Sequence, residues 1–536
     1  PFEVIDYALK GEIRDGFWPD ALEEFPLSGG PFEIEVTSRE INLSGSGQLG
    51  GIDTDLKWHE YFDADTTQRP YQTLIDARLE TTPEFRNELG IDLTPLLSGP
   101  ISTDLTYKAF TDNTSRADIK ASIDNADLLV SPLDYKKLKG EKGAMTFSAV
   151  FRDGMLRSVE NLSVQTESLK LKNGRLGFVP KNEEPALSNG ALENLTVEEN
   201  DISSLVFEIT PEGTLKAKLI GKLLDIRQFI HTPDITPENQ KTDENMNNVP
   251  VPVSPFSEDT MFDYPLILSL DFARFRTSKN RLIEEAKVYI EMDQSQEILQ
   301  LEADAKAGQG DIYLRYKPDD TGQKIFRLEV DDAGTALKAF DIYNNVNGGE
   351  LTIFAEPVTT ASEGDFKGRM TLRDFSIVKA PVLARLLSAL SLPGLGQLLD
   401  NEGIRFSRLE ARFDWTDLAD GSKIVVEDGR TSGNSLGLTF EGVINMATDN
   451  VNIKGTIVPL SGINAFISNI PLIGNIFAGK RGEGIFAATY KIDGNLADPD
   501  VSVNPLAALA PGFVRTLLFQ NDDDIQTDTP PPRKSP

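Results

Sequence analysis

Apolar and polar residues alternate along most of this chain, and the alternation has period 2. In "GAMTFSAVFRDG", Met145, Phe147, Ala149 and Phe151 fall on one side of an extended strand, with Thr146 and Ser148 on the other. The stretch "LTFEGVI" puts Leu438, Phe440 and, past Gly442, Ile444 on one face, and "IFAATYKIDG" aligns Phe486, Ala488, Tyr490 and Ile492. Further segments of this kind centre on residues 32–36, 205–209, 266–272, 299–305, 326–330 and 424–426. Asp-Gly, Asn-Gly and Gly-Gly pairs punctuate them, so the pattern predicts successive hairpins, an antiparallel meander with one apolar face.

The units resemble one another loosely. "FSAVFRDGMLRSVENLSVQTESLKLKNGRLGF" and "FDWTDLADGSKIVVEDGRTSGNSLGLTFEGVI" both run strand, turn, strand, then a Ser-containing link into another strand. Degenerate β units that cannot close a core alone stack into an extended body. A string of separate sandwiches is the alternative.

Helical patterning interrupts the strands in a few places. Residues 334–343, "GTALKAFDIY", read as a short amphipathic helix, and residues 381–400 as the most apolar one, broken by Pro393 and Gly394 and so a poor membrane span. Residues 461–477 and 505–519 are of the same kind, broken at Pro471 and at Pro511 with Gly512. Leu383, Leu386, Leu387 and Leu390 form one helical stripe, and Ile463, Phe466, Ile467 and Ile470 another. Such stripes either cap an open end of the β body or face a membrane surface. Residues 232–261, rich in Pro, Asn and acid, read as a flexible loop, and residues 520–536 as a disordered tail.

Charge and composition then remove whole classes of function. The 536 residues carry 84 Asp plus Glu against 53 Lys plus Arg, a net charge of -31 that repels nucleic acid. There is no Cys, so thiolate chemistry and disulfides are excluded, and two His, at 59 and 231, leave little material for a histidine-based metal site. The chain opens at Pro1 without an initiator Met or a signal-like segment, which suggests a piece of a longer protein.

Two short motifs point to chemistry and fail on context. "GNSLG", Gly433 to Gly437, fits the G-x-S-x-G nucleophile elbow, yet an alternating strand follows where a helix is required, and both His lie upstream of Ser435. "GSGQLG", Gly45 to Gly50, fits G-x-G-x-x-G but does not open an amphipathic helix, and glycines at a strand bend explain it better. The run Asp522 to Asp524 lacks the spaced ligands of a calcium loop. No catalytic residue, cofactor or metal is expected.

The C-terminal third carries a more specific signal. "GLTFEGVI", "GTIVPLSGIN", "IPLIGNI", "GEGIFAATY", "DPDVSVNPL" and "LAPGF" occur in that order within residues 350–519. This region resembles the C-terminal part of the AsmA-like envelope proteins of Gram-negative bacteria, of the YhdP type, relatives of the TamB-like bridge-like lipid-transfer proteins. Upstream, "GEIRDGFWPD", "GSGQLGGIDTDLKWHEYF" and "LIGKLLDIRQFI" are similar to the same proteins' repeating middle region. The resemblance implies a periplasmic β body, anchored in the inner membrane by an N-terminal helix outside this chain, that carries phospholipid along a hydrophobic groove between inner and outer membranes.

The expectation is therefore a mainly β protein: an elongated, repetitive antiparallel sheet curved into an apolar, β-taco-like groove, with short amphipathic helices near its C-terminal end. Residues 1–349 would form a repetitive groove segment and residues 350–519 the AsmA-like region. About thirty strands stacked at ~4.8 Å would reach on the order of 140 Å. Candidate groove residues are Met145, Phe147, Phe151, Phe406, Phe413, Leu438, Phe440, Ile444, Phe486, Tyr490 and Ile492. Candidate gating or membrane-contact residues are Leu383, Leu386, Leu387, Leu390, Ile463, Phe466, Ile467, Ile470, Ile473, Leu517, Leu518 and Phe519. Lys480 and Arg481, in a turn of an otherwise acidic chain, are candidates for anionic head groups. The expected partners are phospholipid acyl chains and the two membranes, with envelope proteins as further candidates. The other reading is a periplasmic scaffold or assembly factor for outer-membrane proteins that pairs clients along exposed strand edges.

Overall fold

The computed structural model describes residues 6–22, 25–62, 70–88, 93–94, 96–182, 184–230, 264–295, 297–358, 365–390, 392–418, 421–459 and 487–504. The loop 232–261, the segments 461–477 and 505–519 and the tail 520–536 fall outside these. With them go Ile463, Phe466, Ile467, Ile470, Ile473, Lys480, Arg481, Phe486, Leu517, Leu518 and Phe519.

The protein is mainly β, and its strands are mostly antiparallel. It divides into two compact units, residues 1–280 with 285–299, and residues 281–284 with 300–536. In the first unit an N-terminal set comes first, in which Ala8–Ile13 pairs with Phe32–Thr37 and Gly16–Leu22 with Phe25–Gly29. A meander follows from Glu40–Leu49 through Ile52–Tyr61, Tyr71–Thr81, Ile101–Phe110, Thr114–Ser122, Gly143–Arg152 and Met155–Thr166. It continues through Leu169–Lys181, Glu184–Val197, Asn200–Ile209 and Leu215–Asp225, each strand antiparallel to the one before. The last of these then pairs in parallel with Leu266–Ser278, a departure from the all-antiparallel meander that the hairpin signals predict.

The hairpins form where the sequence punctuates. At Asp153 and Gly154 both φ angles are positive, 53° and 73°, as the tight turn between two right-twisted strands requires. A small sheet of Leu97–Ser98, Asp127–Val130 and Tyr135–Lys137 is pinned by a fully buried lysine. Lys137 Nζ donates to the carbonyls of Ile123 at 2.8 Å and Ala126 at 2.9 Å.

The second unit is a meander of consecutive antiparallel strands: Ile298–Ala307, Gly310–Pro318, Lys324–Val330, Val346–Pro357, Phe366–Ile377 and Ile404–Leu418. Gly421–Ser432, Leu436–Asn445, Asn450–Pro459, Ala488–Asn495 and Asp500–Asn504 complete it. Among the described residues three short helices interrupt it. Ala333–Ala339 begins at Asp332, whose carboxylate accepts from Thr335 N at 3.0 Å. Pro393 splits the leucine-rich stretch into Pro381–Ala389 and Pro393–Asn401, each with proline in its first turn, where the missing N–H costs nothing.

Candidate functional site

The register of the second unit aligns apolar residues into rows that cross the strands on one face. One row reads Ala303, Leu314, Leu328, Ile353, Met370 and Ala411, then, past a bulge at Asp428, Gly429, Phe440, Gly455, Tyr490 and Val503. Two residues along each strand, or three along the bulged one, the next row holds Leu301, Tyr316, Phe326, Ala355, Gly368, Phe413, Val426, Gly442, Ile453, Ile492 and Val501. On the other side of the first row run Ile312, Val330, Leu351, Leu372, Leu409, Leu438, Ile457 and Ala488, joined by Thr431.

Burial is graded across these rows. Leu351, Leu372, Leu438, Ile457 and Ala488 are buried. Leu328, Ile353, Met370, Phe413, Val426, Phe440, Ile453 and Ile492 are only half-buried, whereas Ala355, Ala411 and Tyr490 in the same rows are buried. The sealed edge adjoins a packed end, where the ring of Phe406, 2% exposed, stacks on Phe375 with centroids 5.3 Å apart. Leu383, Leu386, Leu387 and Leu390 are all buried as well. Their helix packs against Pro393–Asn401 and Asp500–Asn504, and Arg385 fixes it by donating to the carbonyl of Pro499 at 2.7 Å and pairing with Asp498.

Aromatic side chains on this face are seated on glycines. Phe440 is directly opposite Gly429, Phe413 opposite Gly368, and Tyr490 opposite Gly455. At each glycine a β-carbon would collide with the partner's ring or hydroxyl. The Tyr490 hydroxyl crosses Gly455 to donate to Thr439 O at 2.8 Å, and burial raises its pKa well above that of an ordinary tyrosine. The same pairing recurs in the first unit, with Phe207 over Gly190 and Phe272 over Gly221.

Of the other expected groove residues, Ile444 shares the face of Phe440, between Ile424 and Val451. In the first unit Phe147 ends a row of Phe32, Gly45, Leu56, Ala77, Leu105 and Ile119. Met145, Phe147 and Phe151 are half-buried, and the two phenylalanines pack against Ala117, Ala149 and Leu156. The strand pattern did not single out Met370, Ile453 or the glycine seats, and it marked Val426 only as part of a strand, not as a groove residue. The signal was present as alternation in "KGRMTL" and "NIKGTIV", but only the register shows which glycine faces which ring.

The opposite face is polar and cross-linked by ions. Arg430 pairs with Glu410 at 2.7 Å, Lys454 with Glu441 at 2.9 Å and Arg315 with Glu302 at 3.3 Å. Burial works against ionisation of Glu302, but hydrogen bonds from Lys317 and Gln300 and the charges of Lys317 and Arg315 together outweigh it and hold its carboxyl below the usual range. Thr439, Thr456 and Thr489 form a cross-strand ladder between the charges. A trough of about 1400 Å³ runs across eight strands, from Phe354 to Asn504. Its floor includes Gly368, Gly429 and Gly455, which Phe413, Phe440 and Tyr490 cover on the apolar side, so it opens on the polar face.

Serine 435 lies in the turn between Gly421–Ser432 and Leu436–Asn445, closed by Gly433 N donating to Leu436 O at 3.0 Å, so no helix follows it. Among the described residues no group of three or more His, Asp or Glu is placed to hold a metal, and no helix is long and apolar enough to cross a membrane. No family model, curated protein or solved structure matches the chain.

Proposed function

We propose that this chain is a segment of a bridge-like lipid-transfer protein, holding phospholipid acyl chains against its apolar rows and passing them along a groove between inner and outer membranes. The observation that carries this reading is the half-burial of the middle rows. In a two-layer sandwich those rows would be sealed by the facing sheet; here Met370, Phe440, Ile453 and Ile492 retain exposed surface on an otherwise apolar face. Exposed contiguous apolar surface marks an interaction site. Acyl chains suit it, since each CH₂ withdrawn from water contributes about 0.8 kcal/mol and no directional contact is needed.

Seating rings on glycines supports the same reading, because a ring lying over its neighbour projects less into the space above the sheet. The similarity of residues 350–519 to the AsmA-like proteins adds the setting: a periplasmic location, an inner-membrane anchor elsewhere in the full protein, and contact with both membranes. Carriage of this kind needs no catalytic group.

Transfer of a fluorescent phospholipid between donor and acceptor vesicles tests the proposal. Ile453→Asp combined with Ile492→Asp places charge on half-exposed apolar positions and is expected to reduce transfer at least tenfold, with the β signal in circular dichroism retained. Transfer at the parent rate by a folded double variant would overturn the assignment of these rows.

A further inference from the structure

The polar face of the second unit holds charges that lipid carriage leaves unused. Arg369 stands directly opposite Arg412, and Arg373 directly opposite Arg408, on paired strands. Directly opposed like charges destabilise a sheet. Glu410, opposite Thr371 between the two pairs, is shared by Arg408 and Arg430. Arg369 has an aromatic neighbour, its guanidinium carbon 5.2 Å from the centre of the Phe354 ring. Arg412 meets Asp428, but the two side chains are 66% and 68% exposed, and a pair so wet contributes little and opens readily.

Arg369, Arg412, Glu410, Asp428 and Arg430 line the trough, along which Lys and Arg outnumber carboxylates six to three in a chain whose net charge is -31. Threonine hydroxyls at Thr371 and Thr439 border it beside the arginines.

We propose that Arg369 and Arg412, flanked by Lys367 and Arg430, form a binding site for a phosphate-class anion. Guanidinium forks match phosphate oxygens bidentately, and an anion between two opposed forks turns their repulsion into attraction. The site is on the face opposite the apolar rows, so it stands whether or not those rows carry lipid. A free phosphate and a phosphorylated lipid head group present the same chemistry to it.

Calorimetric titration of the whole chain with inorganic pyrophosphate, and co-sedimentation with phosphatidylcholine vesicles with and without phosphatidic acid, separate the two sources. Binding of pyrophosphate marks a site open to soluble phosphate; binding only to phosphatidic acid vesicles marks a head-group site. In either case R369Q/R412Q is expected to bind about tenfold or more weakly, the scale of one lost charge-assisted hydrogen bond. K120Q, which changes an exposed lysine of the first unit, should bind as the parent does. Because the double substitution removes a like-charge contact, it should not lower the melting temperature; if it does, R369Q alone, which leaves Arg412 with Asp428, carries the same comparison. Absence of binding to both probes, or equal binding by parent and arginine variants, overturns the proposal.

Discussion

The ring of Phe440 lies over Gly429, the residue directly opposite it on the neighbouring strand. A side chain at Gly429 would meet ring atoms Cδ2 and Cε2, so the glycine is the seat that lets the ring lie along the sheet. Gly429→Val is therefore expected to cost about 1–3 kcal/mol, the range for overpacking, read as a lower denaturant midpoint. An unchanged midpoint would mean the ring moves aside without cost.

Tyr490 repeats the arrangement with a polar end. Removing its hydroxyl in Tyr490→Phe takes a donor from Thr439 O and should lower stability by about 1 kcal/mol. The pH dependence has a definite sign. The folded pKa is raised by burial, so the contribution is complete below the ordinary tyrosine value and declines as pH rises above about 10, where the unfolded chain ionises first. Melting temperatures across that range should fall more steeply for the parent than for Tyr490→Phe, and parallel curves would contradict the burial of this phenol.

Leu387, 1% exposed, separates the two roles open to the leucine stripe. As part of a packed cap, Leu387→Ala should lower unfolding stability by about 2–5 kcal/mol through the cavity it leaves. If the stripe instead inserted into a membrane, the free protein would lose little and vesicle binding would fall. The burial of all four leucines, with Arg385 tied to Pro499 and Asp498, favours the cap in the described conformation.

Strand positions were legible because one face of each strand differs chemically from the other. The shared face of Met145, Phe147 and Phe151, and that of Leu438, Phe440 and Ile444, follow from parity alone. Depth did not follow. Leu438 and Phe440 are two residues apart on one face, yet the leucine is 8% exposed and the ring half-buried, because depth depends on distance from the packed end. Phe406, by parity a groove candidate, stacks on Phe375 inside that end.

Register was harder to read. Gly455 and Tyr490 are 35 positions apart in the sequence, and elsewhere in the unit a bulge at Asp428, where φ is 49°, shifts the pairing of its strand with both neighbours. The opposed arginines were hidden for the same reason: each is an ordinary polar-face residue until the strands are aligned. The parallel pairing of Leu215–Asp225 with Leu266–Ser278 depends on the route of a long connection, for which alternation carries no signal. The leucine helices were visible as a stripe broken at Pro393, but the stripe itself was equally consistent with a cap and with a membrane face.

The most direct test of the central proposal is lipid occupancy. Native mass spectrometry of the whole chain, purified without detergent and then exposed to phospholipid vesicles, should show bound phospholipid, with occupancy lost in the Ile453→Asp, Ile492→Asp variant. A chain that emerges free of lipid and takes none up from vesicles would contradict it.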